Sequence, residues 1–323
     1  MSTGIVIIGR NEGSRLVRCL DSLRDQWAHC VYVDSGSTDD SVAEARRRGV
    51  QVVQLDLSIP FTAARARNAG CARLCELHPD VDAVHFFDGD CEVRPGWVAK
   101  AQAYLDANPR VGVVFGVQQE RHPQASVYNL LFDIEWDTPR GEVSASAGNA
   151  LCRRTVFAAL GGFREDLIAG EDPEFCLRVR EAGFLIWHLD EPMVLHDAAM
   201  TRFGQWWRRA KRAGYAFAEG AAMHGAPPQR HFVREAKSQL VWGLGMPCFI
   251  VLAGLLVTPW ALLLLGIYPL QVARVAIRGR FATRVNWIYA FFVVLGKFPE
   301  AAGALKYYRE RGRSAPRTLI EYK

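Results

Sequence analysis

Short apolar runs separated by polar clusters set the rhythm of the first half of the chain. Ile5-Val-Ile-Ile8 is wholly β-branched, the pattern of a strand buried on both faces, and Gly9-Arg-Asn-Glu-Gly13 ends it. Leu16, Leu20 and Leu23 then recur at helical spacing. Residues 30–33, 50–55 and 83–87 repeat the strand pattern, and residues 41–48 and 63–77 read as helices between them. Strands alternating with helices over connections of about 2–6 residues predict an α/β fold with a doubly wound, parallel sheet. Ligands of such sheets bind at the carboxyl ends of the strands. The polar clusters Asn11/Glu12, Asp34 to Asp39 and Asp88/Asp90 each follow a predicted strand directly.

The rear of the chain has a different pattern. Residues 239–273 contain no Asp, Glu, Lys or Arg, enough for one tilted membrane span or, with a turn at Pro259, two tight passes of about 18 residues each. Pro247, Pro269 and four glycines lie in this stretch, tolerated where neighbouring segments cover the backbone. The competing reading is a buried core hairpin of a soluble protein. Basic flanks favour the membrane: Arg202, Arg208, Arg209, Lys211 and Arg212 lie upstream with Trp206 and Trp207, and Arg274, Arg278, Arg280 and Arg284 lie downstream. Such flanks place both ends of a hairpin on the cytoplasmic side. A third apolar run, 285–296, is about 12 residues, too short to span, and reads as interfacial or re-entrant. The basic tail, 306–313, suits anionic headgroups.

Charge sharpens this division. The 323-residue chain carries a net charge of +5, but residues 202–323 hold 19 Lys/Arg against 5 Asp/Glu and residues 1–201 are net acidic. Half of the residues are hydrophobic and 23% are charged, which excludes a disordered or low-complexity protein. Eight cysteines without CxxC pairs read as reduced, mostly buried thiols. Cys71 and Cys75 lack the second pair or nearby histidine of a zinc site. The N-terminus lacks the basic and apolar regions of a signal peptide.

Asp88-Gly-Asp90 is the strongest local candidate for chemistry. Two carboxylates at i and i+2 leaving a buried strand can turn toward one hard divalent cation that shares its shell with phosphates. Taken alone, the tripeptide also fits an ordinary strand-ending turn. Carboxylate-rich loops gathered at one sheet edge repel one another, and a cation, or a ligand carrying one, relieves the conflict.

Five segments occur in a telling order: Ile5-Val-Ile-Ile-Gly-Arg-Asn-Glu12, Val33-Asp-Ser-Gly-Ser-Thr-Asp39, Ala64-Arg-Ala-Arg-Asn-Ala-Gly70, Asp88-Gly-Asp90 and Gly170-Glu-Asp-Pro-Glu-Phe-Cys-Leu-Arg178. Together they resemble the family 2 (GT-A fold) glycosyltransferases over about residues 4–200. The resemblance implies a GT-A-type, mostly parallel sheet with helices on both faces, a UDP- or GDP-sugar donor, a Mn²⁺ or Mg²⁺ ion and inversion at the anomeric carbon. By position, Asn11 and Glu12 would line the nucleoside pocket, Asp34 would hydrogen-bond the base, and Asp39 would shape that loop. Arg67, rather than Arg65, would face the base or phosphates, since alternate helix residues do not share a side. Ser35 stands where the family often has a second Asp.

Asp88 and Asp90 would hold the metal against the donor diphosphate, with His196 completing the shell; a lone histidine after a strand is also an ordinary hydrogen-bonded residue. Asp172 would be the general base that takes the acceptor hydroxyl's proton, and Glu171 would orient it. The same Glu-Asp-Pro is a good helix start, and both roles are compatible. Gly148 and Asn149, in Ser146-Ala-Gly-Asn-Ala150, resemble the family's acceptor side; a turn before a strand fits them equally. Gln205-Trp-Trp-Arg-Arg209 nearly matches the Gln-x-x-Arg-Trp motif of processive synthases, but Arg209 replaces the stacking tryptophan.

The expected layout is a catalytic domain at 1–200, a basic amphipathic interface segment at 201–238, a membrane hairpin at 239–277, and an interfacial helix with a basic tail at 278–323. The expected function is metal-dependent, inverting transfer of one sugar from a nucleotide-sugar to a lipid-linked or saccharide acceptor. It would occur at the inner or cytoplasmic membrane, with the catalytic domain facing the cytoplasm and no nucleic-acid partner. A processive polysaccharide synthase and an inactive, membrane-anchored nucleotide-sugar-binding protein are the alternatives. A dinucleotide-dependent dehydrogenase is set aside, because no Gly-x-Gly-x-x-Gly follows the first strand.

Overall fold

The computed structural model describes residues 2–146, 148–279, 283–311 and 320–321. Ala147 of the acceptor-side segment, Arg280 of the downstream basic flank and residues 312–313 of the basic tail lie outside them.

The chain divides into two compact units, residues 1–167 with 171–199, and residues 168–170 with 200–323. In the first, β1 (Thr3–Gly9), β2 (Cys30–Asp34), β3 (Gln51–Gln54) and β4 (Ala83–Asp88) pair in parallel in the order β3-β2-β1-β4. Helices α1 (Ser14–Ser22), α2 (Ser41–Arg47) and α3 (Ala63–Leu77) connect them. Residues Ile5 to Ile7 and Val31 to Val33 have no exposure, as their β-branched pattern requires of central parallel strands.

The sheet continues with β5 (Cys91–Val93), β6 (Val111–Glu120), β7 (Gly141–Val143), β8 (Ala150–Arg153) and β9 (Leu185–His196). Helices α4 (Trp97–Ala107), α5 (Val127–Trp136), α6 (Arg154–Ala159) and α7 (Glu171–Glu181) lie between them in sequence. Here parallel order gives way to a mixed arrangement. β6 and β9 run parallel, but β8 is antiparallel to β4 and β6, and β5 and β7 are antiparallel to β9. The parallel expectation therefore describes the first four strands, and the whole is a mixed α/β sheet. The structural consequence is local: His196 of β9 lies opposite both Cys91 of β5 and Glu120 of β6.

The second unit is helical: α8 (Phe203–His224), α9 (Val233–Leu256), α10 (Pro259–Ile277) and α11 (Thr283–Glu310). The last three are each long and apolar enough to cross a membrane, at 24, 19 and 28 residues. The chain turns between Leu256 and Pro259, where the uncharged run was expected to fold back. The third apolar run departs from its expected length. It lies within a single 28-residue helix that continues through Lys297 and Pro299. Lys297 Nζ pairs with Glu300 at 2.5 Å on the same helix, so the two charges beyond residue 296 offset each other. Phe249, Leu255, Leu256, Val257, Trp260 and Leu263 are all at least 60% exposed, more bare apolar surface than a water-soluble face carries.

Candidate active site

The centre of the first unit is a buried arginine. Thr62 caps α3 by accepting from the Arg65 N–H, and Asn68 exchanges hydrogen bonds with the Phe163 backbone, giving Nδ2 to its carbonyl and taking its N–H. These fixings aim Arg67 inward, where its side chain is 3% exposed. Its guanidinium donates to Asp88 at 3.0 Å, to Glu171 at 2.8 Å and to Asp172 at 3.3 Å. Arg65 turns the other way and donates to the carbonyls of Ile59 and Asp56. One arginine of the pair therefore reaches the centre, and its partners are carboxylates. Of the acidic loops expected to repel one another, the one ending in Asp88 is offset by the chain's own cation.

Three separated stretches meet at this point: the end of β4, the second turn of α3 and the start of α7. A fourth closes over it. A side chain at Gly148 would place its Cβ 3.1 Å from Arg67 Nη2, 3.4 Å from Asp88 Oδ2 and 3.6 Å from Asp172 Oδ2, and Gly148 has φ +71°. Glycine satisfies both demands. Burial pushes the Asp172 carboxyl up to about 7; Arg67 pulls it down, and Glu171 and Asp88 push it up. Burial disfavours the Arg67 charge, but Asp172, Asp88 and Glu171 together raise its pKa above the ordinary arginine value. A carboxyl near neutrality is suited to accept a proton at physiological pH.

Beyond β4, Asp90 is 3% exposed and His196 6%. Asp90 Oδ2 faces His196 Nε2 at 3.4 Å. Asp90, Cys91 and His196 each offer a ligand atom within 4.8 Å of the others. A carboxylate oxygen and an imidazole nitrogen brought face to face fit a divalent cation that accepts nitrogen beside oxygen. Mg²⁺, which prefers an all-oxygen shell, is served less well. Cys91 was not anticipated; only the strand register, which sets it across from His196, reveals it.

Other predicted residues take different places. Asp34 is 1% exposed, and its carboxylate accepts from Tyr32 Oη, Gly36 N and Ser37 N. It builds the loop, the task expected of Asp39, whose carboxylate accepts from Ser41 N. Asn11 takes φ 55° and accepts from Thr38 N, tying the first two strand-end loops together. Glu12 pairs with Arg15 at 2.8 Å on the wall of a cavity of about 510 Å³ shared with Arg18, Arg121 and Asp197. Asn149 departs from the acceptor-side expectation. It is 1% exposed, accepts from the Asp88 N–H and donates to Gln118 and to Cys91 Sγ. Its work is to pin the backbone of Asp88.

Residues 4–161 match the family described as Glycosyl transferase family 2. The chain carries a family 2 glycosyltransferase domain. The glycosyltransferase is 26% identical over 219 residues to the O-antigen chain rhamnosyltransferase of Salmonella typhimurium, covering 62% of this chain and 68% of the relative. It is 28% identical over 236 residues to the pre-mycofactocin glycosyltransferase of Mycobacterium tuberculosis, covering 68% of this chain and only 47% of that one, about half of its length. Its fold is similar to that of a mannosyltransferase from Pyrobaculum calidifontis solved with GDP-Man and Mn²⁺. That likeness has a TM-score of 0.64 at 21% identity and spans 96% of this chain and 87% of the other.

Proposed function

We propose that this glycosyltransferase moves one sugar, with inversion, from a nucleoside-diphosphate sugar to a lipid-borne acceptor at a membrane. One observation carries the reading: Arg67 draws Asp88, Glu171 and Asp172 from separate stretches of chain onto one guanidinium. Asp172, with its pKa raised by burial, is suited to take the acceptor hydroxyl's proton as the new bond forms. Glu171, on the same guanidinium, orients it. Asp90 and His196, with Asp88 released from Arg67, would hold a Mn²⁺ ion, which when bound neutralises charge on the departing diphosphate. Gly148 leaves the space in which acceptor and donor meet. The loops built by Asn11, Asp34 and Asp39 would receive the nucleoside.

The lipid acceptor is supported by three apolar helices in the same chain and by the excess of basic over acidic residues in 202–323, which favours an anionic cytoplasmic leaflet. The test incubates the detergent-purified chain and Mn²⁺ with a panel of UDP- and GDP-sugars and polyprenyl-phosphate-linked acceptors. The expected product enters the organic phase carrying one added sugar. Asp172→Asn should lower the rate by about 10²–10⁴-fold, and Asp88→Ala should lose Mn²⁺-dependent transfer. A ladder of lengths would instead indicate a processive synthase. Donor binding without turnover on any acceptor would indicate a binding protein.

A further inference from the structure

Glu120 ends β6 with 4% exposure, and four N–H donors converge on it. His196 Nδ1 lies 3.2 Å from Oε2, and the Ala198 N–H also reaches Oε2 at 3.2 Å. Oε1 receives the His122 N–H and Asn129 Nδ2, each at 3.2 Å. A carboxylate is the side chain that can accept at both oxygens. A carboxamide in its place must aim its own N–H₂ at two of those donors.

Phe132, Asp133 and Trp136 of α5 turn toward this corner, whereas Asn129 reaches the far oxygen of Glu120 and the His122 carbonyl. The rings of Phe132 and Trp136 lie 5.7 and 4.5 Å from the imidazole, and Asp133 accepts from the Glu120 N–H. These two rings pack against the imidazole, and Glu120 Oε2 lies within hydrogen-bond reach of Nδ1. Nε2 is then the nitrogen presented toward Asp90.

We infer that Glu120 is a positioning residue for the metal site: by holding the Nδ1 proton of His196, it commits Nε2 to ligation. The inference rests on the reading of Asp90 and His196 as metal ligands. A carboxylate behind a ligating histidine fixes the tautomer and raises ligand basicity, and its loss typically weakens metal binding by about 10–100-fold.

The test measures the Mn²⁺ dissociation constant of the full chain by the electron paramagnetic resonance of free Mn²⁺, with no donor and no turnover. Glu120→Gln should weaken binding by about 10–100-fold. Asn129→Ala removes a donor from the far oxygen of Glu120, so it should lower the melting temperature and leave Mn²⁺ affinity within about twofold. Equal affinity in Glu120→Gln and the native chain, or equal weakening in both variants, overturns the inference. Should native chain and His196→Gln bind Mn²⁺ alike, the metal reading itself fails and the role of Glu120 falls with it. Should Glu120→Gln not fold, the ¹⁵N shifts of His196 in the native metal-free chain decide. A protonated Nδ1 supports the assignment, and a proton on Nε2 alone overturns it.

Discussion

At the scale of single residues, the centre is governed by competition for one guanidinium. Arg67 satisfies Asp88, Glu171 and Asp172 at once, and a planar fork achieves this where a single ammonium would not. Asp172 is left with a proton affinity set first by burial and only then by Arg67. Its carboxyl titrates near 7 in the folded chain against 3.8 for an ordinary aspartate. Between about pH 4 and 7 the folded chain therefore holds a proton that the unfolded chain has lost, and stability contributed at this site falls as pH rises through that window. Transfer should move oppositely. As a base, Asp172 must be ionised, so kcat/KM should rise tenfold per pH unit on the acid side of the Asp172 pKa and level above it, with metal held saturating at each pH. A flat profile from pH 5 to 8 would remove Asp172 from that role.

Motif order alone places Asp88, Arg67, Glu171 and Asp172 near one another. It does not reveal that Arg67 faces carboxylates, that Asn149 pins the Asp88 backbone, or that Glu120 stands behind His196. The last two partners are chosen by strand register, β8 beside β4 and β6 beside β9, which no local stretch of sequence specifies. Asp34 shows a related limit. A carboxylate after a strand can face a ligand or its own loop, and here the loop N–H groups claim it.

Among the elements, the apolar runs were legible as strands and helices, because burial on both faces and burial of a stripe leave different periods. The end of the third apolar run was not. Lys297 and Glu300 read as a stop in a linear string, whereas one helical turn apart they form a pair. Packing within the helical unit rests on close backbone approach. A Cβ on Gly303 of α11 would lie 2.0 Å from the Lys211 carbonyl oxygen of α8, and one on Gly214 of α8 would lie 2.1 Å from that of Glu300. Small residues at such crossings let the two helix backbones come close. Gly303→Val should therefore destabilise the helical unit by about 3 kcal/mol or more. Gly266→Ala, whose Cβ meets nothing within 4 Å, should be near neutral. Thermal unfolding in detergent micelles followed by circular dichroism separates the two, and equal melting temperatures would contradict the packing.

For the molecule as a whole, two units divide the labour by charge and by polarity. Residues 1–167 and 171–199 hold the mixed sheet and the acidic centre; residues 168–170 and 200–323 hold the basic helices and the bare apolar surface. The claim joining them to one activity is that side chains at the strand ends grip a nucleoside diphosphate through a metal, with the base separate from that grip. Isothermal titration of UDP and GDP into the full chain tests it directly, with Mn²⁺, with EDTA, and in the Asp90→Ala and Asp172→Asn variants. The account predicts binding that requires Mn²⁺, is lost in Asp90→Ala and persists in Asp172→Asn. Binding that survives EDTA and Asp90→Ala unchanged would contradict it.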